Sequence, residues 1–106
     1  MRNRAINALI EMGVSADTKG FYYIVDAMCM LAENESYVRG NTGALYECIA
    51  KKNSASYSRV ERAIRHAFQS ILTDGNTFMV DKYLSRSNTA TGNLLRVLYI
   101  RLTQEE

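Results

Sequence analysis

Guanidinium groups are the side chains most densely placed for chemistry in this chain. In the segment Ser58 to Leu72, SRVERAIRHAFQSIL, arginines stand at 59, 62 and 65, with Glu61 among them and His66 just beyond. An arginine can donate two parallel hydrogen bonds to the acceptor edge of a guanine or to a phosphate, and a glutamate can accept from a cytosine amino group. At about 100° per residue, a helix here gathers Val60, Ala63, Ile64, Ala67, Phe68 and Ile71 on one side. Arg59, Arg62, Arg65, His66 and Gln69 fall on the other, with Ser58 beside them and Glu61 at the edge. Such a helix docks through one side and offers cations to a polyanion through the other. DNA is the first partner class that fits.

The net charge is only +2. Between Ala50 and His66, however, Lys51, Lys52, Arg59, Arg62 and Arg65 face Glu61 alone, a local balance of +4. A basic patch on a near-neutral chain is the pattern of specific DNA contact rather than of a general polyanion coat.

The element that must present this patch is a helix-turn-helix over about residues 42–73, with 57–72 as its recognition helix. Ala50 is small enough for two helices to approach, and Val60 with the Ala63–Ile64 pair would seat the second on the first. Tyr57, Ser58, Glu61, Arg62 and Arg65 are then left facing outward near the start of the second helix, with Arg59 adjacent. In this motif that helix enters the major groove and reads base edges near its N-terminus. Lys51 and Lys52 close the preceding helix, within reach of phosphates, and the amides near Ser56 to Ser58 offer another phosphate site. The turn carries Asn53-Ser54 where an apolar residue and glycine are usual. The spacing also fits an amphipathic helix whose arginines are simply solvated or paired, so the motif by itself leaves both readings open.

Around this pair, apolar spacing predicts an all-α fold of five or six helices. Ile6, Leu9 and Ile10 mark a first helix closed by Gly13. Ser15 or Asp17 can cap a second, whose stripe is Phe21, Ile24, Val25, Met28, Leu31 and Ala32. The polar stretch Asn34 to Asn41 reads as a connection with one loose turn, and Asn41 or Thr42 opens a third helix carrying Leu45, Cys48 and Ile49. Ser56 caps the fourth, which runs to Gly75. Asn76 or Thr77 starts a fifth bearing Phe78, Met79, Val80, Tyr83 and Leu84. Ser85 to Gly92 reads as a loop, and the last helix uses Leu94, Leu95, Val97, Leu98 and Leu102.

The 106 residues are enough for one domain with its own core. No apolar run approaches the roughly 18–20 residues that span a bilayer, and no signal segment is visible, so a cytoplasmic location is expected. Cys29 and Cys48 sit among apolar residues and read as buried thiols in a reducing compartment, without the partners of a zinc site. His66, the single histidine, has no nominated nucleophile, and Asp17, Asp26, Asp74 and Asp81 look like caps and solvated faces. Tyr22 and Tyr23 read as core and rim, and the methionines as core filler. Gly40 and Gly43 are not followed by a phosphate-loop lysine. These residues nominate no catalytic group, no metal site and no cofactor.

Two longer stretches resemble a known family. LYECIAKKNSASYSRVERAIRHAF, Leu45 to Phe68, and MGVSADTKGFYYIVDAM, Met12 to Met28, are similar to the C-terminal DNA-binding effector domain of the stage-zero sporulation response regulator A family. The resemblance covers the first three quarters of the chain. It implies a six-helix transcription regulator that binds double-stranded DNA at a short box similar to TGTCGAA, often in tandem, as a head-to-tail pair. RNA polymerase is a further partner expected of a transcription regulator. Carried over by position, Arg59, Glu61 and Arg62 are the base readers. Arg65 and His66 lie against the backbone, Lys51, Lys52 and Ser58 support them, and Lys19 is a further backbone candidate.

The chain departs from the family in beginning at Met1 just before the effector helices, which implies no receiver domain. It also differs across the turn Asn53 to Tyr57, in a shorter loop after Gly75, and in the last helix LLRVLYIRL. The alternative is a receiver-less interaction module that pairs with a full-length regulator or with RNA polymerase.

Overall fold

A computed structural model describes residues 1–40 and 42–104. Among them are six α-helices and no strand: α1 (Arg2–Met12), α2 (Lys19–Glu33), α3 (Thr42–Lys52), α4 (Tyr57–Asp74), α5 (Thr77–Tyr83) and α6 (Thr91–Thr103). A short 3-10 helix, Glu35–Arg39, joins α2 to α3 where one loose turn is predicted.

Helix α2 is the centre of the fold and packs against α1, α3, α4 and α6. Its predicted stripe is buried from Phe21 to Leu31, but Tyr23, Ala27 and Asp26 are buried too, while Ala32 is exposed. A helix covered on nearly all sides must bury some of its polar residues, and Asp26 is that residue. Its cap is neither Ser15 nor Asp17. Those two side chains bond to each other, and Thr18 takes up the Phe21 amide instead.

Three further apolar residues lie outside the core that their spacing suggests. Ile10 is 55% and Phe78 77% exposed. The buried stripe of α1 is Ala5, Ala8, Leu9 and Met12, and the two turns of α5 bury only Val80 and Tyr83, continued by Leu84. Cys48 is exposed and Cys29 half-buried, because α3 buries Leu45, Tyr46, Ile49 and Ala50, a stripe that leaves position 48 outside. Both thiols are free. Helix α3 begins at Thr42; Asn41 lies outside the described residues. In α6, Leu94, Leu95, Leu98, Tyr99 and Leu102 are buried and Val97 only partly.

Helix α4 is held as its sequence dictates. Ser56 accepts the Arg59 amide at 3.2 Å, and Val60, Ile64, Ala67, Phe68 and Ile71 are buried, each of the larger ones worth about 1.5–3 kcal/mol. Glycine is required where α2 meets α4. A Cβ on Gly20 would stand 2.6 Å from the Ala63 carbonyl oxygen and 3.0 Å from the Ala67 Cβ, so no larger residue fits without separating the helices.

The turn between α3 and α4 repeats the one that closes α1. After α1, Gly13 at φ +98° donates to Ile10 O, and Val14 donates to Leu9 O. After α3, Ser54 at φ +52° donates to Lys51 O, and Ala55 donates to Ala50 O at 2.9 Å. This is the left-handed helix stop in which glycine is usual. Ser54 therefore occupies the conformation that the missing glycine would supply, which explains how the unusual turn still closes.

Two outcomes follow. Ser54→Gly should raise stability by about 0.5 kcal/mol, the strain relieved exceeding the entropy gained by the unfolded chain, while the β-branched Ser54→Val should lower it by about 1–2 kcal/mol. Thermal unfolding of both variants checks this. The second concerns Tyr46, whose ring meets that of Tyr57 edge to face at 5.5 Å, joining α3 to the start of α4. Burial, with help from Glu61 and Tyr57 and against Arg96, pushes the Tyr46 phenol up to about 12. The un-ionised phenol thus belongs to the fold. Its contribution is complete below the usual value near 10 and is lost as the pH climbs to about 12. Tyr46→Phe should flatten the loss of stability across that window, as read by denaturant titration at about pH 9 and about pH 11.

Candidate nucleic-acid interface

Arg62 stands opposite the buried stripe of α4, with Arg59 on one flank and Arg65 on the other. All three are exposed. Among the described residues, Arg59 and Arg62 have no carboxylate partner. Arg65 Nε lies 3.8 Å from Glu61 Oε1, one turn back, a spacing and exposure at which a pair contributes little. The cationic face of α4 is therefore open.

The fold brings a further cation to it. Because Gly20 lets α2 press on α4, Lys19 and His66 sit on the two walls of one groove. Arg59, Arg62, Lys19, His66 and Tyr23 surround a hollow of about 410 Å³ beside the α3–α4 turn. A second, of about 360 Å³, continues along α4 past Gly20 to Ser70 and shares Lys19 and His66. Among the described residues, no carboxylate lines either hollow. Arg65 faces away from this groove, beside Gln69, Thr89 and Thr91, at the start of α6.

The remaining predicted residues have more particular settings. Lys51 is exposed in the last turn of α3, and Ser58 is exposed at the start of α4, where helix amides are directed outward. Glu61 does not share the open face. Its side chain is 29% exposed and its charge is felt by Tyr46 of α3. Lys52 turns inward: Nζ lies 2.9 Å from Asp26 Oδ1, and Asn53 Nδ2 donates to Asp26 Oδ2 at 3.1 Å.

Asp26 is thus neither a cap nor a solvated acid, the reading its sequence position invites. An acid set in the apolar run between Val25 and Ala27 is the signal that marks it. His66 shares its hollows with the cations Lys19, Arg59 and Arg62. Among the described residues no three histidine, cysteine or acidic side chains are grouped to hold a metal ion, and no helix is long and apolar enough to cross a membrane.

Comparison with known proteins identifies the family. A family model described as the C-terminal domain of sporulation initiation factor Spo0A matches residues 5–102. The match runs through α6, beyond the stretches in which the resemblance is visible by residue. That family consists of DNA-binding effector domains rather than enzymes. The chain belongs to the family of the C-terminal domain of sporulation initiation factor Spo0A.

Proposed function

We propose that this chain binds double-stranded DNA sequence-specifically, by laying the first turns of α4 in the major groove. What carries the reading is the open cationic face: two arginines without carboxylate partners, beside a groove whose walls add Lys19 and His66 and no acid. A helix of 18 residues is about 27 Å long, and the major groove, about 12 Å wide, admits it. Arg59 and Arg62 read guanine edges in this scheme. Glu61 accepts from a cytosine amino group at the α3 side of the helix.

Lys19 and His66 follow the backbone on one side of the groove and Arg65 follows it on the other. Ser58 and Lys51 hold it near the helix start. Lys52 has three donors and spends one on Asp26, so two are left for a phosphate. The target is a short box resembling TGTCGAA, and two copies of the domain occupy tandem boxes head to tail. RNA polymerase is the further partner through which such a regulator acts.

A reading as a protein-interaction module draws on the exposed Phe78 and Ile10. The two differ in their response to salt. With about four to six phosphate contacts, log affinity against log salt should fall with a slope of roughly −4 to −5, whereas binding through an apolar patch would change little. Arg62→Ala should remove preference for the box over a scrambled duplex, each base contact being worth about 1–3 kcal/mol. Lys51→Ala should weaken both duplexes alike and make the slope shallower by about 0.9. A uniform loss in both variants would refute the base-reading assignment; fluorescence anisotropy at several salt concentrations measures all of these quantities.

A further inference from the structure

From Lys51 to Arg59 no side chain is buried; Ala55 is only half-covered, and the core resumes at Val60. The stretch that launches the recognition helix is therefore set mainly by polar contacts, with one ring contact, Tyr57 on Tyr46, beside them. Most of the polar contacts are local: the Ser56 cap and the Ser54 turn. One reaches into the core. Asp26, its side chain only 8% exposed, accepts from Lys52 with one oxygen and from Asn53 with the other. The Asn53 amide nitrogen also donates to Ile49 O at 2.8 Å, so a single amide joins the buried carboxylate to the end of α3.

We infer that Asp26 is a positioning residue for base recognition: its carboxylate anchors the turn that aims Arg59 and Arg62, and it restrains the charge of Lys52. The inference rests on the reading of α4 as the base-reading helix. Its physical basis is a count of acceptors. A carboxylate turns an oxygen to each of its two donors, whereas an asparagine of the same shape turns an oxygen to one and an NH2, itself a donor, to the other. Asp26→Asn therefore loosens one anchor while keeping the side chain's shape. Lys52, whose side chain is 55% exposed, is not stranded as a buried charge when its partner is neutral. Its charge is then no longer offset by Asp26 beside the proposed backbone site.

This separates positioning from mere support. A residue that only stabilised the fold would, on removal, lower affinity for every duplex in parallel. Asp26→Asn should instead leave affinity for a scrambled duplex unchanged or higher, with a salt slope steeper by up to about 0.9 as Asp26 no longer offsets Lys52. Its preference for a duplex carrying two TGTCGAA boxes should fall roughly tenfold, about the loss of one base contact. Asn53→Ala, which leaves Lys52 paired, should lower the preference with the slope unchanged. The experiment is anisotropy titration of the wild type and both variants on the two duplexes across a salt series, with circular dichroism melts of each protein. If Asp26→Asn is unfolded at the assay temperature, Asn53→Ala decides the matter. Preference unchanged in the folded variants would overturn the role of Asp26 alone. A wild type that binds neither duplex would overturn the DNA reading of α4, and this inference with it.

Discussion

The fold depends on how closely α2 can lie on α4. Gly20 meets the Ala63 carbonyl and the Ala67 methyl with no room for a side chain, so backbone packs on backbone at the N-terminal end of α2. That contact has two effects at once. It lets the long apolar stripe of α4 sink onto a helix that is itself buried nearly all round, and it carries Lys19 to the edge of the cationic face. Core and surface chemistry are set by one approach distance.

Two turns of the same design frame this arrangement. The stop after α1 uses Gly13 and the stop after α3 uses Ser54, with equivalent hydrogen bonds. The second carries more of the function, because it decides where α4 begins. A serine held in the left-handed region costs about 1–2 kcal/mol relative to glycine, and the sequence offsets it with the Ser56 cap and the paired rings of Tyr46 and Tyr57. The buried anchor at Asp26 lies behind the same turn.

Sequence pattern reached the long, strongly two-faced elements and failed on short or wholly buried ones. The stripe of α4, its Ser56 cap and the stop at Gly13 follow directly from 3.6-residue spacing and terminal chemistry. Thr18 was hidden because Ser15 and Asp17 are better caps by type, and only the structure has them bonded to each other. Phe78 and Cys48 mislead for a common reason: α5 and α3 are short enough that two stripes are possible, and neighbouring helices choose between them. The outward arginines of the candidate site are legible from the same wheel that buries Val60 and Ile64. The contribution of α2 is not legible from pattern: Lys19 is reached only through the family resemblance and Asp26 not at all, since they lie about 40 and about 30 residues before α4 and no local period encodes such a distance.

The groove without carboxylates has a cost when it stands empty. Like charges at Lys19, Arg59 and Arg62 repel one another across a gap with no internal counterion, and the folded state bears that repulsion whenever no polyanion is present. Dissolved ions shield it over a Debye length of about 10 Å at 0.1 M. Ionic strength thus pulls this small protein in opposite directions: the salt that strips it from a polyanion also makes the solitary molecule harder to melt.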